Sequence, residues 1–428
     1  MVYRNHSIAI IGTGYVGLTT GACLSKLGHQ VTCVDSDIKK IADIKAGVMP
    51  IHEEGLADIV MEGQLNGKLQ FTSALLSAVA DAEFVFLCLP TPPDESGFAD
   101  LSAIRNVANE FRGRLNPGTI IINKSTVPVN SARMVEDLID NRDVRVVSNP
   151  EFLREGSAVH DFFNPDRIVI GSDNLLAGEK VASLYLGTHC PIFITDPVSA
   201  ESIKYMANAF LALKLSFVNQ AADFCDAVGA DITEVMRGLS FDPRIGSTFL
   251  NPGPGWGGSC FPKDTKALAA YAVHIGRPMT LIEEAIRSNE FHILRIAKLV
   301  DECAMNAIGV LSRIAILGLS FKANTDDVRE SPALKILQIL QDKFHNIVSY
   351  DPHAKGIDDT KYNRVGSLKL AVTDADLVVI LTEWSEFADF EAAEYSDLMA
   401  GKTIVDARYV LDIDRFAKEG ITIRSLGR

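Results

Sequence analysis

The stretch Ser7-Ile-Ala-Ile-Ile-Gly-Thr-Gly-Tyr-Val-Gly17 joins a short apolar run directly to three spaced glycines. An apolar helical pattern follows as far as Gly28, and a second strand pattern, Gln30-Val-Thr-Cys-Val34, ends at Asp35. Strand, glycine turn, helix, strand and terminal acid in this order are typical of a dinucleotide site. The glycines let a pyrophosphate reach backbone N–H groups at a helix N-terminus. The stretch therefore predicts a Rossmann-type unit at the start of the chain.

The residues of this unit have separate predicted roles. Gly12 makes the tight turn, Gly14 admits the pyrophosphate, and Gly17 lets the helix pack against the sheet. Asp35 would accept hydrogen bonds from the adenosine ribose hydroxyls and repel a 2′-phosphate. The predicted cofactor is therefore NAD rather than NADP.

The alternation of strand and helix patterns continues along the chain. Strand patterns at Ala82–Leu89, Thr119–Asn123 and Val144–Val147 each run into a polar loop. This order predicts a parallel, doubly wound sheet, whose ligands bind beyond the carboxyl ends of its strands. We expect the loops to bring four polar residues to one crevice: Thr91, Thr126, Glu151 and Glu155. Taken alone, the two glutamates also fit solvated loop acids.

The middle of the chain reads as helical. One long pattern runs from about Ser199 to Val228, and further helices follow to about Cys303. Lys204 and Asn208 are four residues apart and so share one helix face. A lysine in this setting is more often a surface residue whose stem covers apolar neighbours. We expect this region to contain a hinge and a contact surface between subunits.

A second Rossmann-like pattern follows. Ser312–Leu319 echoes the first strand, and Ile347–Tyr350 ends at Asp351 as the second strand ends at Asp35. The GxGxxG turn is replaced by a long polar loop with Lys322 and Arg329, which suits a phosphate-bearing ligand or belongs to a repeat that serves only as scaffold. The predicted fold class is α/β, with two Rossmann-like doubly wound domains joined by a long central helix and a helical dimerisation region. The predicted boundaries are 1–198, 199–303 and 304–428.

A glycine-rich stretch, Asn251-Pro-Gly-Pro-Gly-Trp-Gly-Gly-Ser-Cys-Phe-Pro-Lys-Asp264, holds one cysteine. Pro262 fits the first turn of a helix, which would put Cys260 just ahead of the helix N-terminus and beside Lys263. A thiolate is favoured at such a position. Read in isolation, the stretch also fits a turn with an incidental cysteine.

Composition limits the classes of partner and site. The 428 residues carry a net charge of −14, which argues against nucleic acid or an anionic membrane as partner. No signal peptide or transmembrane run is apparent. The seven cysteines are odd in number and scattered, and the histidines show no metal-type grouping, so no metal site is expected. We expect a reduced, cytoplasmic protein.

These motifs together resemble the UDP-glucose/GDP-mannose 6-dehydrogenase family from Ile8 to about Arg408. The resemblance is carried by the GxGxxG turn, Lys124-Ser-Thr-Val-Pro128, Asn149-Pro-Glu-Phe-Leu-Arg-Glu-Gly156, Lys204 with Ala207-Asn-Ala-Phe210, Gly255–Asp264, and Phe321–Ser331. Asp242-Pro-Arg-Ile-Gly246 with Phe249-Leu250 resembles the UDP-glucose branch. Ile51-His-Glu-Glu-Gly55 departs from the family, which commonly has an aromatic residue and a proline there, and Pro90 before Thr91 is a second departure.

The resemblance implies oxidation of C6 of UDP-glucose from alcohol to carboxylate, with two NAD+ reduced, by a homodimer. GDP-mannose and UDP-N-acetylhexosamines remain alternative substrates within the family. A single-step hydroxyacid dehydrogenase and a non-catalytic sensor of NAD or nucleotide sugars are the rival interpretations. The former predicts one NADH per substrate, and the latter predicts binding without turnover.

The resemblance also implies three sets of site residues. The catalytic set has Cys260 as nucleophile, Lys204 and Asn208 as donors to the C6 oxygen, Asp264 and Glu151 as candidate bases, and Thr126 holding a water. The cofactor set comprises Gly12, Thr13, Gly14, Tyr15, Val16, Gly17, Asp35, Lys40, Pro90, Thr91, Ser125, Thr126, Glu155, Lys263 and Arg329. The substrate set comprises Glu151, Phe152, Leu153, Glu155, Lys204, Asn208, Arg244, Phe249, Leu250, Asn251, Gly253, Gly257, Phe321, Lys322 and Arg408, with Arg244 expected to reach the neighbouring subunit.

Overall fold

The structure is a computed structural model that describes residues 5–428. It divides into two compact units, Met1–Ala207 and Asn208–Arg428, each built on its own sheet. The predicted α/β class with two Rossmann-like sheets is confirmed.

The first unit contains an eight-stranded sheet in the order β3-β2-β1-β4-β5-β6-β7-β8. The strands are β1 (Ser7–Ile11), β2 (Gln30–Val34), β3 (Leu69–Thr72), β4 (Phe84–Leu87), β5 (Ile120–Asn123), β6 (Arg145–Ser148), β7 (Ile168–Gly171) and β8 (Ile192–Thr195). Its helices are α1 (Tyr15–Lys26), α2 (Ile38–Lys45), α3 (Leu56–Leu65), α4 (Leu75–Val79), α5 (Ser102–Phe111), α6 (Ser131–Ile139), α7 (Ala158–Phe163) and α8 (Leu175–Ser183).

Burial on both faces explains why the strands of this sheet read as continuous apolar runs. Ile8 and Ile10 of β1 pack on one face with α1, whereas Ala9 and Ile11 pack on the other with α5. The strand order reverses at β1, which pairs with β2 on one side and β4 on the other. Ligands of open α/β sheets bind at such a reversal, beyond the carboxyl ends of the strands.

One pairing departs from the parallel sheet that the sequence predicts. β7 pairs antiparallel to β6, through Ser148 and Gly171. Antiparallel neighbours are joined at one edge of a sheet and need no crossover. The segment 149–167 therefore stays at the carboxyl edge of β6.

The second unit contains a five-stranded, fully parallel sheet in the order β10-β9-β11-β12-β13. The strands are β9 (Ile314–Leu317), β10 (Ile347–Tyr350), β11 (Leu377–Ile380), β12 (Thr403–Asp406) and β13 (Thr422–Arg424). The helices that accompany this sheet are α13 (Pro332–Gln341), α14 (Leu368–Val372), α15 (Ser385–Asp389), α16 (Ala392–Leu398) and α17 (Ile413–Lys418).

Four helices occupy the middle of the chain: α9 (Pro197–Val228), α10 (Ile232–Ser240), α11 (Phe261–His274) and α12 (Thr280–Ala307). The 32 residues of α9 give it a length of about 48 Å. Its C-terminal half and α12 share a core cluster with one face of the second sheet, where Val218 and Val300 lie with Ile314 and Ile316.

Asp351, directly after β10, holds the turn that follows β9 in the second unit. Its carboxylate accepts hydrogen bonds from the backbone N–H groups of Leu319, Ser320, His353 and Ala354, and from the Trp384 indole. Burial alone would raise the pKa of Asp351, but the backbone N–H donors outweigh it and lower the pKa. Asp351 therefore serves a structural role and links the ends of β9 and β10 through hydrogen bonds.

Replacing Asp351 by Asn should destabilise the protein by roughly 1–3 kcal/mol, because the amide nitrogen cannot accept from the N–H groups around it. A lowered carboxyl pKa contributes stability above the pKa of the unfolded chain, and this contribution is lost as pH falls through the folded value. Thermal midpoints measured from pH 3 to pH 7 should therefore fall less steeply with acid in the variant than in the wild type. The exposed Asp374→Asn is the matched control, and an equal pH dependence in wild type and Asp351→Asn would contradict this role.

Candidate active site

The glycine turn after β1 has the geometry that a dinucleotide needs. Gly12 has φ of +99°, and a Cβ there would lie 2.4 Å from the carbonyl oxygen of Cys88, so the turn admits only glycine. Gly14 is the N-cap of α1, and no atom lies within 4 Å of the place where its Cβ would be. Open space beside a helix N-terminus that has no side-chain cap fits a pyrophosphate.

Asp35 lies directly after β2, and neighbouring donors hold its carboxylate. Its carboxylate accepts hydrogen bonds from the Thr13 hydroxyl at 2.7 Å, the Asp37 N–H at 3.0 Å and the Lys40 ammonium at 2.7 Å. Burial opposes ionisation, but these donors outweigh it and lower the pKa of Asp35 to about 2. The structure thus brings two donors, Thr13 and Lys40, to the carboxylate of Asp35 at the edge of the sheet.

The loops after β4 and β5 are tied to each other. The Thr91 hydroxyl donates to the Thr126 carbonyl at 2.9 Å, and the Ser125 hydroxyl donates to the Leu89 carbonyl at 2.7 Å. Pro90 is exposed between them. The predicted site residues Thr91, Ser125 and Thr126 therefore lie together at the carboxyl ends of β4 and β5.

Glu151 and Lys204 form a buried ion pair in the first unit. The Lys204 Nζ lies 2.9 Å from Glu151 Oε1, and the two side chains are 4% and 6% exposed. The Leu153 N–H donates to the other carboxylate oxygen at 2.8 Å. Burial would raise the pKa of Glu151, but Lys204, the Leu153 N–H and Lys124 outweigh it and hold the pKa below its ordinary value. Lys204 is therefore a buried, paired residue and not the surface lysine that its helix pattern also allowed.

The predicted substrate residues beside this pair include an aromatic ring stacked with a cation. The guanidinium carbon of Arg167 lies 3.7 Å from the centroid of the Phe152 ring, and Lys204 Nζ lies 5.3 Å from it. Leu153 is partly buried and Glu155 is buried in the same segment. Arg167 was not predicted from the sequence, because a stacked guanidinium lacks a sequence signature.

Two further residues near this pair also escaped the sequence-based prediction. Lys124, inside the quoted Lys124–Pro128 motif, donates to Asn149 Oδ1 at 3.1 Å, and burial lowers its pKa to about 8. Glu201 accepts from the N–H groups of Asn130 and Ala132 and from the Ser148 hydroxyl, which fastens the loop after β5 to α9. A charged residue in an apolar helix pattern was the available signal for Glu201, as it was for Lys204.

Cys260 is the N-cap of α11, as the position of Pro262 predicts. The cysteine is partly exposed, and its Sγ lies 3.6 Å from the Ser259 hydroxyl. Asp264, one turn into the helix, is 1% exposed and is bound by Asn208 Nδ2 at 2.6 Å and by Lys263 Nζ at 2.7 Å. The second unit thus groups Cys260, Asp264, Asn208 and Lys263.

The glycine-rich loop before Cys260 is clamped by side chains of α9 and α12. The Gly253 N–H donates to Asn219, and the Gly253 carbonyl lies 2.8 Å from His292 Nε2. The Trp256 backbone exchanges two hydrogen bonds with the Asn289 amide. A Cβ on Gly257 would lie 2.1 Å from the carbonyl oxygen of Glu330, which explains the glycine there. The loop is therefore held by residues that no local motif marks.

Arg408, Phe321 and Gly253 are brought together in the second unit. The Arg408 guanidinium donates to the carbonyls of Phe321 and Leu381 at 2.8 and 2.9 Å, and a Cβ on Gly253 would lie 3.2 Å from Arg408 Nη1. Lys322 Nζ lies 5.8 Å from the Phe321 ring. Arg408, which also pairs with Glu383, and Lys322 are the cations of this cluster, and cations of this kind can bind a phosphate-bearing ligand.

The remaining predicted residues lie on more exposed parts of the second unit. The Arg244 side chain is 88% exposed and pairs with Asp242, and Arg329 pairs with Asp327. Phe249 has φ of +59° and an exposed ring, and Asn251 is exposed, whereas Leu250 is buried.

Within residues 5–428, no group of three or more His, Cys, Asp or Glu side chains is arranged to hold a metal ion. Across the same residues, no helix combines the length and the apolar character needed to cross a membrane.

Three family models cover most of the chain. They are the NAD binding domain (residues 6–189), the central domain (198–291) and the UDP binding domain (315–413) of the UDP-glucose/GDP-mannose dehydrogenase family. The chain belongs to this family. It is accordingly an NAD-dependent oxidoreductase with a UDP-sugar binding domain, and the resemblance stated from its motifs is confirmed.

Relatives match over nearly the whole chain. UDP-glucose 6-dehydrogenase TuaD of Bacillus subtilis is 41% identical, covering 98% of this chain and 93% of the relative. The UDP-glucose 6-dehydrogenase of Rhizobium meliloti is 42% identical, with coverage of 98% and 99%. Among solved structures, a UDP-glucose dehydrogenase of Pyrobaculum islandicum has a TM-score of 0.88 at 32% identity, with coverage of 99% and 98%. A UDP-D-ManNAc dehydrogenase of Pyrococcus horikoshii has a TM-score of 0.87 at 28% identity, with coverage of 98% and 99%.

The buried pair of Glu151 and Lys204 can be tested by removing the ammonium group. Lys204→Met should destabilise the protein by about 3–5 kcal/mol, because it leaves the Glu151 carboxylate buried without its partner. It should also raise the pKa of Glu151, since loss of the ammonium removes the largest charge that lowers it. Thermal midpoints from pH 4 to pH 8 measure both effects.

The sign of the pH dependence of stability distinguishes the Lys204→Met variant from the wild type. With a lowered pKa, Glu151 contributes stability above the unfolded value of about 4.3, and the contribution is lost as pH falls. With a raised pKa in the variant, stability instead falls as pH rises through that value. Lys180→Met, at an exposed lysine of the same unit, should leave the profile unchanged. A Lys204→Met profile parallel to that of the wild type would contradict the buried pair.

Proposed function

We propose that the protein is an NAD-dependent UDP-glucose 6-dehydrogenase that converts UDP-glucose to UDP-glucuronate in a four-electron oxidation. The observation that carries the proposal is the N-cap position of Cys260, one helical turn before a buried Asp264 that Asn208 and Lys263 hold. The relatives from Bacillus subtilis and Rhizobium meliloti, both named UDP-glucose 6-dehydrogenases, support the choice of sugar.

Cys260 supplies the nucleophile that a four-electron oxidation requires. An aldehyde at C6 can lose a further hydride only after it becomes tetrahedral, and a thiolate achieves this by forming a thiohemiacetal. Oxidation of that adduct leaves a thioester on Cys260, and water then releases the carboxylate. A helix N-terminus stabilises the thiolate form of the cysteine, which supports its role.

The charged residues supply the proton transfers and hold the oxygen. We assign Lys204 and Asn208, four residues apart on α9, as donors to the C6 oxygen as negative charge develops. Glu151 is ionised by its surroundings and is our candidate base for thioester hydrolysis, with Thr126 holding a water. Asp264 orients Asn208 and Lys263 through its two oxygens and is the second candidate base.

The residues around the glycine turn would hold NAD. When bound there, NAD+ would supply the hydride acceptor for each of the two oxidations. Gly12–Gly17 and Asp35 would bind its pyrophosphate and adenosine ribose. We also assign to the cofactor side Lys40, Pro90, Thr91, Ser125, Glu155, Lys263 and Arg329.

The nucleotide sugar would be held by residues of several loops. Phe152, Leu153 and Glu155 face the sugar in this proposal, and the 249–257 loop lines it. Arg408 and Lys322 would bind the diphosphate, since they are the cations of the cluster around Phe321. The three functional segments are then 1–198, 199–303 and 304–428.

We infer a homodimer from the exposed face of α9. Phe210, Phe217 and Phe224 recur every seven residues and are 65%, 57% and 66% exposed. Rings at this spacing form one stripe along a helix, and a second copy of the same stripe is its natural cover. In the dimer, the exposed Arg244 would reach the partner's substrate. The reduced thiol that the mechanism needs favours a cytoplasmic location.

The wild type should produce two NADH per UDP-glucose consumed, whereas Cys260→Ser should release no UDP-glucuronate, because the thiohemiacetal cannot form. The loss of acid should be at least about 1,000-fold, as for removal of a nucleophile in other enzymes. NADH absorbance and product chromatography on the same samples measure both quantities.

The affinity of Cys260→Ser for NADH is the internal control and should match that of the wild type. Cys303→Ser, at a partly buried cysteine elsewhere in the second unit, should retain activity. GDP-mannose and UDP-N-acetylmannosamine are compared with UDP-glucose as substrates of the wild type. A higher kcat/KM for either than for UDP-glucose would overturn the choice of sugar. One NADH per sugar, or undiminished acid from Cys260→Ser, would overturn the covalent mechanism.

Phe217→Lys should convert the dimer to a monomer, because it inserts a charge into the apolar stripe that a second copy covers. Light scattering coupled to size exclusion measures the mass, and activity should fall with the dimer if Arg244 acts across the interface. Leu370→Lys, which places the same charge at a residue 58% exposed on α14, is the matched control. A dimeric Phe217→Lys protein with normal activity would rule out this surface as the interface.

A further inference from the structure

Glu53 lies in the Ile51–Gly55 stretch, where this chain departs from its family and to which the proposed reaction gives no role. Glu53 is 7% exposed, whereas its neighbour Glu54 is exposed. A buried carboxylate is costly unless donors surround it. The donors that surround Glu53 therefore indicate its function.

Three donors from two distant parts of the first unit converge on this carboxylate. The Tyr15 hydroxyl donates to Glu53 Oε2 at 2.6 Å, and the Gly156 N–H donates to the same oxygen at 2.8 Å. The Ala158 N–H donates to Oε1. Tyr15 lies within the glycine turn Gly12–Gly17 and begins α1, while Gly156 and Ala158 end the segment that carries Glu151, Phe152 and Glu155.

Two other carboxylates fix the same segment internally. Glu151 accepts from the Leu153 N–H, and Asp161 accepts from the backbone and guanidinium of Arg154. Both of these contacts join residues within 149–167. The Glu53 carboxylate, by contrast, joins this segment to the glycine turn.

Tyr15 adds a second contact between the glycine turn and the segment that carries Glu151. Its hydroxyl oxygen lies 2.9 Å from the Arg154 carbonyl as well as 2.6 Å from Glu53. Burial and the neighbouring Glu53 carboxylate raise the pKa of Tyr15 far above its ordinary value. The hydroxyl therefore keeps its proton and remains a donor to Glu53 throughout the working pH range.

We propose that Glu53 is a positioning residue that sets the spacing between the glycine turn, Gly12–Gly17, and the segment Glu151–Ala158. The inference rests on the proposed function, in which the turn holds NAD and the segment holds the sugar and the candidate base. Hydride transfer requires the donor carbon and the acceptor to approach within a narrow range, so an error in this spacing slows the reaction.

A glutamine at this position is the sharpest change. Its amide keeps the size of the glutamate but replaces one acceptor oxygen with a donor nitrogen, which then faces either the Ala158 N–H or the Tyr15 and Gly156 donors. We expect Glu53→Gln to raise KM for both NAD+ and UDP-glucose and to lower kcat/KM for the sugar about tenfold or more. Glu54→Gln makes the same chemical change at the exposed neighbour and should stay within about twofold of the wild type.

Tyr15→Phe tests the bridge without disturbing the carboxylate and so serves if Glu53→Gln folds poorly. It should lower kcat/KM by a smaller factor, because the Gly156 and Ala158 donors remain. The double variant Tyr15→Phe/Glu53→Gln should be little worse than Glu53→Gln alone, since both changes act on one network. Additive losses in the double variant would overturn the proposal.

Thermal midpoints separate positioning from a purely structural role. A residue that acts only on stability would lower the midpoint of Glu53→Gln and leave kcat and both KM values of the folded enzyme unchanged, which would overturn the proposal. The affinity for NADH without sugar is measured for each variant and should fall in Glu53→Gln but not in Glu54→Gln. If the wild type does not oxidise UDP-glucose, the proposed function fails, and the NADH affinities still decide the role of Glu53.

Discussion

A lysine ammonium and a glutamate carboxylate lie 2.9 Å apart and almost fully shielded from water in the first unit. Two charges can be buried in this way only if they pair and their remaining hydrogen-bonding groups are satisfied. The pair therefore demands a fixed relation between the end of β6, which supplies Glu151, and α9, which supplies Lys204. Much of the surrounding structure serves this relation.

The supports of the pair come from several directions. Glu201, one turn before Lys204 on α9, caps the start of α6 and bonds to Ser148 at the end of β6. Lys124 adds a second positive charge near Glu151 and is itself held by Asn149. The antiparallel entry of β7 keeps the whole 149–167 segment at the edge where the pair lies. Each contact limits how far the carboxylate could move without breaking another.

The second unit applies the same physical rule to neutral groups. The loop before Cys260 is rich in glycine and proline and presents many backbone N–H and C=O groups, which must find partners when the loop is buried. Asn219, Asn289 and His292 satisfy those of Gly253 and Trp256. The covalent adduct proposed on Cys260 would need such a fixed wall, because the reacting carbon must meet the thiolate at a defined distance.

The sequence by itself determined the elements, the family and the local motifs. Apolar runs bounded by glycines predict strands, the GxGxxG turn with Asp35 predicts a dinucleotide site, and Pro262 predicts the helix that Cys260 caps. These features follow from short-range constraints, since they depend on residues adjacent in the chain. Only the tertiary structure decided which charged residues are buried together. Lys204 and Glu201 showed only a charge within an apolar helix pattern, which is more often a surface residue, and Glu53, Arg167 and His292 carried no local signature. The hydrogen-bond partners of Glu53, Glu201 and His292 lie between 38 and 105 positions away in the chain. The desolvation that makes those partners necessary exists only once the chain has folded.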